Sequence, residues 1–248
     1  MTLRYAVRVL KRNLLVFNRL YKMNLAINFV EPTLYLFAFG IGLGAFVSDI
    51  GGMSYIQYIA PGMVCYSALF AAAFECLYDT YIRMEHQKTF NAILATPVNP
   101  EGVILGEIFY AAFKAIVFGS IIMIVVYVAG LIPTPWLPFS LPFVFMGAVS
   151  MASMSMFVTA SVKGMETFNY YVTMVVSPLM LFSGVYFPLS GWLATVAQFS
   201  PFYHTAKVCQ LLAAGNISGI WLHGAVLFVM MAITLSLGIW KMKRRLMR

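Results

Sequence analysis

The stretch GVILGEIFYAAFKAIVFGSIIMIVVYVAGL, residues 102–131, decides the fold. It carries only two ionisable groups, Glu107 and Lys114. A helix that crosses the hydrocarbon core needs about 20 mostly apolar residues, so this stretch is long enough to span. Just before it, Asn99 supplies an N-cap and Pro100 a residue preset for the first turn. Glu101 then places a negative charge near the positive end of the helix dipole.

Five further stretches qualify as spans on either side of it, at roughly 25–47, 55–77, 138–161, 168–187 and 221–240. Between the last two lies an apolar stretch, roughly 188–215, broken by Pro188, Gly191, Pro201 and Gly215. Backbone at membrane depth must be helical or buried in protein, so this stretch is read as a re-entrant or interfacial hairpin on the outer side. The expected architecture is an all-α membrane protein, one domain over residues 1–248, with six transmembrane helices. Composition agrees. The chain is 62% hydrophobic and 10% charged, with mean hydropathy +0.86, whereas soluble domains are about a quarter charged. Cys65, Cys76 and Cys209 are far apart, with neither a CxxC nor a metal spacing, and read as small packing residues. No cleavable signal peptide is expected, because basic residues interrupt the first 22 positions.

Fourteen of the sixteen lysines and arginines fall in segments that the six-span reading places in the cytoplasm. They are the N-terminal arm, Arg83 and Lys88 after the second span, Lys163 after the fourth, and the run from Lys241 to Arg248. The positive-inside rule then puts both termini in the cytoplasm. The N-terminal arm also has a stripe. Leu3, Val7, Leu10, Leu14, Phe17 and Tyr21 recur at helical spacing, with Arg4, Arg8, Lys11, Arg12 and Arg19 on the other faces. Residues 1–23 are therefore read as an amphipathic interfacial helix on the cytoplasmic membrane face.

The loop YDTYIRMEHQKTFNAILATPVNP, residues 78–100, is the longest polar insertion between spans. Its centre, residues 83–94, reads as a short amphipathic helix. From the residues alone it is either a handle for a cytosolic partner or an ordinary connection. Ionisable residues within or beside the spans are functional candidates by default. Glu31 precedes Pro32 near the start of the first span, and Glu75 and Asp79 share a face at the end of the second. Glu107 and Lys114 share a face of the third. Two readings are open: a polar pathway for a charged or sugar-bearing substrate, or interhelical ion pairs near the cytoplasmic interface. The fourth span is rich in small residues (Gly147, Ala148, Ser150, Ala152, Ser153, Ser155), and Gly40 and Gly44 form a GxxxG in the first. Both features favour close helix approach.

No lysine follows a glycine, so the phosphate-loop motif GxxxxGK[ST] is missing from the sequence. His86, His204 and His223 have no metal-ligand spacing, and neither GxSxG nor HExxH occurs. No catalytic residue and no metal site is expected. The net charge of +8 is accounted for by topology, so nucleic acid is not an expected partner.

Two stretches carry a resemblance. Residues 58–115, YIAPGMVCYSALFAAAFECLYDTYIRMEHQKTFNAILATPVNPEGVILGEIFYAAFKA, resemble the second span, coupling helix and third span of ABC-2 type exporter membrane subunits. The landmarks are APG, LATP, GE and KA. Residues 177–205, SPLMLFSGVYFPLSGWLATVAQFSPFYHT, resemble the family's PLxxFSGxxFP stretch followed by PxxH. The likeness is closer to the nodulation-type (NodJ-like) permeases, which are associated with lipo-oligosaccharide export.

The resemblance implies that Arg83, Met84, Glu85, His86, Gln87, Lys88 and Thr89 form a coupling helix that docks on an ATPase subunit. It implies a homodimer of the permease with two copies of a nucleotide-binding partner. ATP and Mg would reside on that partner, and this chain would bind no cofactor. The expected function is ATP-driven export of an amphipathic substrate, a lipid-linked saccharide or glycolipid, across the bacterial inner membrane. The alternatives are efflux of a drug or small amphiphile, a secondary transporter, or a non-transporting assembly protein. Candidate path residues are Glu31, Lys114, Trp192 and Tyr203. Aromatics in and near the outer hairpin either stack on sugars or anchor in the headgroup layer.

Overall fold

A computed structural model describes residues 2–47 and 50–247, with the side chains of residues 20–28 outside the description. The expected stripe residue Tyr21, the basic residue Lys22 and the terminal Arg248 therefore lie outside what is described here. Every regular element among the described residues is helical.

α1 (Thr2–Phe37) continues through a π turn, Ala38–Gly42, and a 3-10 turn, Leu43–Ala45. The expected division near residue 23 between an interfacial helix and a first span is not a break in the helix. No glycine or proline interrupts residues 2–31, so nothing in the backbone chemistry stops the helix there. α2 (Tyr55–Phe74) starts at Ser54, whose N–H donates to Gln57 Oε1 at 3.1 Å. It runs on through two π turns, Glu75–Asp79 and Ile82–His86, giving one apolar helix over Tyr55–His86. The expected start of a loop at residue 78 is thus displaced. The turn comes at Lys88, in the left-handed conformation at φ 51°, and a short α3 (Thr89–Leu94) follows.

α4 (Pro100–Val128) begins as its sequence predicts, with Asn99 accepting from the Gly102 N–H at 3.2 Å. α5 (Leu141–Ser161) follows a 3-10 turn, Leu137–Ser140. α6 (Glu166–Tyr171), a π turn at Val172–Val176 and α7 (Ser177–Leu181) make one interrupted helical run. α8 (Gly191–Ala197) and α9 (Pro201–Ala213) form the broken hairpin, and α10 (Ile220–Leu246) closes the chain.

Four of these helices are long and apolar enough to cross a membrane: Tyr55–His86, Pro100–Val128, Leu137–Ser161 and Ile220–Leu246. The other two expected spans, 25–47 and 168–187, coincide with interrupted helices. In the first, the shorter apolar helix is Phe29–Ala45. In the second, the π turn and the end of the helix at Leu181 leave a run too short to span alone.

α2 is the most enclosed helix, packed against α1, α4, α5 and α9, and α4 in turn packs against α1, α5 and α10. The fit of α4 to α1 depends on a glycine: a Cβ at Gly106 would lie 2.6 Å from the Val9 Cβ. The first half of α1 therefore lies against α4, burying Ala6, Val9 and Asn13. The expected apolar stripe is offset from that face, leaving Leu3 and Val7 64% and 41% exposed. α5 buries its small residues and lets α10 approach so closely that a Cβ at Gly238 would meet the Ser153 carbonyl oxygen at 2.8 Å. Cys65, Cys76 and Cys209 are buried and unpaired with one another.

Candidate functional site: a charge cluster and an aromatic groove

The π-turn portion of α2 carries Glu75, Asp79 and Arg83 into the interface with α4 and α1. Arg83 is the hub. Its Nη2 lies 2.5 Å from Glu75 Oε1 and 2.5 Å from Glu107 Oε2, and it also donates to Thr80 Oγ1 at 3.2 Å. Lys114 Nζ lies 2.5 Å from Glu75 Oε2 and 3.4 Å from Asp79 Oδ2. Asn13 on α1 donates its amide to Glu107 Oε1 at 3.0 Å. The Glu75 and Glu107 side chains are fully buried and that of Lys114 is 6% exposed. A charge buried at this depth is costly without a close partner of opposite sign, and each of these has one.

Glu75, Asp79 and Lys114 form interhelical ion pairs, and Glu107 pairs with Arg83. Arg83, expected on the coupling surface, is turned inward, and Met84 beside it is 5% exposed. Glu75, Asp79 and Arg83 recur every four residues, but that spacing has structural meaning only if the helix continues past residue 77, as it does here.

Above the cluster a groove of about 830 Å³ opens between α1, α2 and the α6–α7 run. Tyr66, Phe70 and Phe74 line it, rungs of a ladder with one ring every four residues that continues beyond the groove to Tyr78. Tyr66 and Phe70 have centroids 4.6 Å apart, Phe70 and Phe74 5.7 Å, and Phe74 and Tyr78 5.5 Å. On α1, Tyr35 stacks on Phe39 at 5.7 Å, and Phe39 meets Tyr186 edge-on at 5.4 Å. Glu31 accepts a hydrogen bond from the Tyr66 hydroxyl at 3.0 Å and lines the groove. A second cavity of about 490 Å³ shares Glu31, Tyr66, Phe70 and Phe74 with it and reaches Asp79 and Lys114. The ladder was written in the sequence as Tyr66, Phe70, Phe74 and Tyr78, an i, i+4 repeat.

Of the four expected path residues, Glu31 lines the groove, and Lys114 lines only the second cavity, already held by two carboxylates. Trp192, 73% exposed on α8, does not line the groove. Tyr203 instead packs its ring against His204 and His223.

At the turn after α2, Glu85 accepts from Arg245 Nη2 at 2.7 Å and from Lys88 Nζ at 3.3 Å. Arg245 Nη1 also donates to the Thr159 and Val162 carbonyls, so the end of α10 ties α2 to the end of α5. His86, Gln87 and Lys88 are exposed, and Thr89 is half-buried. Arg4, Arg8, Lys11 and Arg19 are exposed along α1, whereas Arg12 is half-buried. Burial pushes the Arg12 guanidinium below its ordinary value, with the charge of Glu107 opposing.

Residues 6–211 match the family described as ABC-2 type transporter. The chain belongs to this family. As an ABC-2 type chain it is a membrane protein with several apolar helices and the membrane subunit of a transporter that works with an ATP-binding subunit. It is 34% identical to Nodulation protein J of Rhizobium meliloti (strain 1021), over 97% of this chain and 94% of that protein. It is 33% identical to Nodulation protein J of Rhizobium leguminosarum bv. trifolii, over 98% and 94%. A more distant relative is the Inner membrane transport permease YadH of Escherichia coli (strain K12), 26% identical over 70% of this chain and 68% of that protein. The charge cluster, the aromatic ladder and the α2–α3 turn all fall within the matched residues.

Proposed function

We propose that this chain is the permease subunit of an ATP-binding-cassette exporter that moves a lipid-linked saccharide or glycolipid out of the cytoplasm. Two copies of the permease would work with two copies of a separate nucleotide-binding subunit, on which ATP and Mg reside. The chain would lie in the bacterial inner membrane, with six membrane-crossing segments and both termini in the cytoplasm. In that count, Phe29–Ala45 and the α6–α7 run are the two incomplete crossings. Exposed His86, Gln87 and Lys88 would meet the ATPase, with Glu85 and Thr89 at the edge of the contact.

The observation that carries the substrate class is the groove. Aromatic faces stack on pyranose rings and pack against acyl chains, and the groove adds a carboxylate, Glu31, and a Tyr66 hydroxyl within reach of sugar hydroxyls. Its volume of about 830 Å³ also falls in the range of drug-sized sites, about 300–1,000 Å³. That favours a second reading, efflux of a small amphiphile. Reconstitution of the permease with its ATPase in proteoliposomes separates the two. The first reading expects ATP-dependent translocation of a fluorescent lipid-linked oligosaccharide, reduced about fivefold by Phe70→Ala, a loss of ring contact worth about 1 kcal/mol. Translocation of an amphiphilic dye with no movement of the glycolipid would establish the second reading and sink the first.

A further inference from the structure

A third cavity, on the far side of the charge cluster from the aromatic groove, has a different chemistry. It encloses about 260 Å³ between α1, α2 and α4. Its polar wall is Arg12, Asn13, Arg83, Gln87, Tyr110 and Lys114, and Val16 and Phe17 form an apolar edge. Asp79 is the one carboxylate that lines it. Glu75 and Glu107, which neutralise Arg83 and Lys114, do not line it. Of the three cations that line it, Arg12 is the one with no ion pair among the described residues.

Two of its polar atoms are incomplete. Arg12 Nη1 is buried and has no hydrogen-bond partner among the described residues, and the same holds for Asn13 Oδ1. The Asn13 side chain is committed on its other side, because its amide nitrogen donates to Glu107. Asn13 is 2% exposed at the outer surface, so its contact with the surroundings runs through this cavity. A buried donor and a buried acceptor cost free energy unless water or a ligand in the cavity completes them. The complement is one group with an anionic oxygen for Arg12 and a hydroxyl to donate to Asn13. The apolar edge continues outward: Val16 is 48% exposed, and Phe17 packs edge-on at 6.0 Å against Phe113, itself 36% exposed. A ligand with its headgroup in the cavity has a track here for a hydrocarbon chain.

We propose that this cavity is a headgroup site for an anionic phospholipid with a hydroxylated headgroup, of the glycerophosphate class, taken from the leaflet beside α1. Arg12 binds the phosphate by a charge-assisted hydrogen bond, Asn13 accepts from a headgroup hydroxyl, and the acyl chains leave over Val16 and Phe17. The site is distinct from the aromatic groove and does not depend on which substrate is exported. A half-buried guanidinium with its Nη1 buried and unpartnered, lining a cavity of this size, recognises one phosphate. The exposed basic residues of α1 only attract the anionic surface as a whole.

The test is saturable binding of dioleoylphosphatidylglycerol to the purified full-length chain in neutral detergent, read by native mass spectrometry and by the thermal unfolding midpoint. Dioleoylphosphatidylcholine serves as the zwitterionic control. Phosphatidylglycerol should bind and raise the midpoint, and Arg12→Gln should weaken that binding by about tenfold, the scale of one charge-assisted hydrogen bond. Arg8→Gln, at an exposed position of the same helix, should leave it unchanged. Val16→Trp blocks the mouth at a position that carries no core contact, so it should weaken binding even where Arg12→Gln fails to fold. Equal losses in Arg8→Gln and Arg12→Gln would reduce the effect to surface charge and overturn the site. Phosphatidylcholine binding as well as phosphatidylglycerol, or inorganic phosphate displacing the lipid completely at millimolar concentration, would overturn it too. The first outcome removes the need for an anion, and the second makes free phosphate the ligand.

Discussion

α2 and α10 are both apolar helices long enough to span, yet they live in different surroundings. In its most apolar window α2 is 89% buried within the protein, whereas α10 is 17% buried. α2 carries Glu75, Asp79 and Arg83 and the aromatic ladder, while α10 offers Phe228, Val229, Ile233 and Leu237 outward, each about half exposed. In water, apolarity marks the core. In lipid it does not, because hydrocarbon solvates a leucine as well as another helix does. The core helix of a membrane protein is marked instead by what lipid cannot solvate: paired charges, hydrogen-bonding hydroxyls and close-packed glycines.

The sharpest break in that contrast is to remove one partner from the cluster. Glu107→Ala leaves Arg83 with a single carboxylate and Asn13 without its acceptor. Arg83 then shares Glu75 with Lys114, and the lost charge-assisted bonds cost about 1.5–3 kcal/mol, so the melting midpoint of the purified protein should fall clearly. Phe228→Ala on the outer face of α10, 59% exposed, should stay within about 0.5 kcal/mol of the parent. Circular dichroism melting in one detergent measures both. Equal losses would mean that α2 and α10 differ in burial without differing in energetic weight.

α10 has one exception, and it sharpens the comparison. At Gly238 the helix rides directly on the α5 backbone, the Ser153 carbonyl lying 2.8 Å from where a Cβ would be. Gly238→Leu should therefore cost about 1–3 kcal/mol, as overpacking does in soluble cores. Ile233→Leu, at a position 55% exposed on the same helix, should be silent. If both are silent in the melt, α10 is not seated on α5 through that glycine.

Much of this was legible in the sequence. The long apolar stretches, the Asn99 cap, the break at 188–215 and the shared face of Glu75 and Asp79 follow from composition and spacing, whereas their pairing with Lys114 depends on how α2 meets α4. What was hidden depended on where helices stop. Hydropathy falls after residue 77, which suggests a loop, but no glycine or proline halts the helix before Lys88, so Arg83 faces inward with Glu75 and Asp79. The continuity of α1 past residue 23 has the same cause. The offset between its apolar stripe and its buried face arises because Gly102 and Gly106 of α4 select which side of α1 can approach, information held in a different segment of the chain. Trp192 and Tyr203 were chosen by type, and aromatic type alone does not place a ring in a groove.

The smallest expected effect on stability is at the turn after α2, and there smallness is the argument. His86, Gln87 and Lys88 are exposed, and the Lys88–Glu85 pair at 3.3 Å is a surface contact with Lys88 60% exposed. Such pairs contribute about 0–1 kcal/mol. Replacing all three residues by alanine should leave the melting profile within about 0.5 kcal/mol of the parent, because Glu85 keeps its bond to Arg245 and Arg83 keeps its two carboxylates. A segment that contributes little to the fold yet is held rigidly by a buried hub three residues away is suited to transmit force to a partner. The same triple variant should therefore lose co-purification with the ATPase subunit, or lose transport while the ATPase still turns over. Arg83→Gln should do the reverse, costing stability first and association only as a consequence. A triple variant that is stable, binds the ATPase and transports at the parental rate would show that the exposed turn is only a connection, and would move the docking surface elsewhere on the cytoplasmic face.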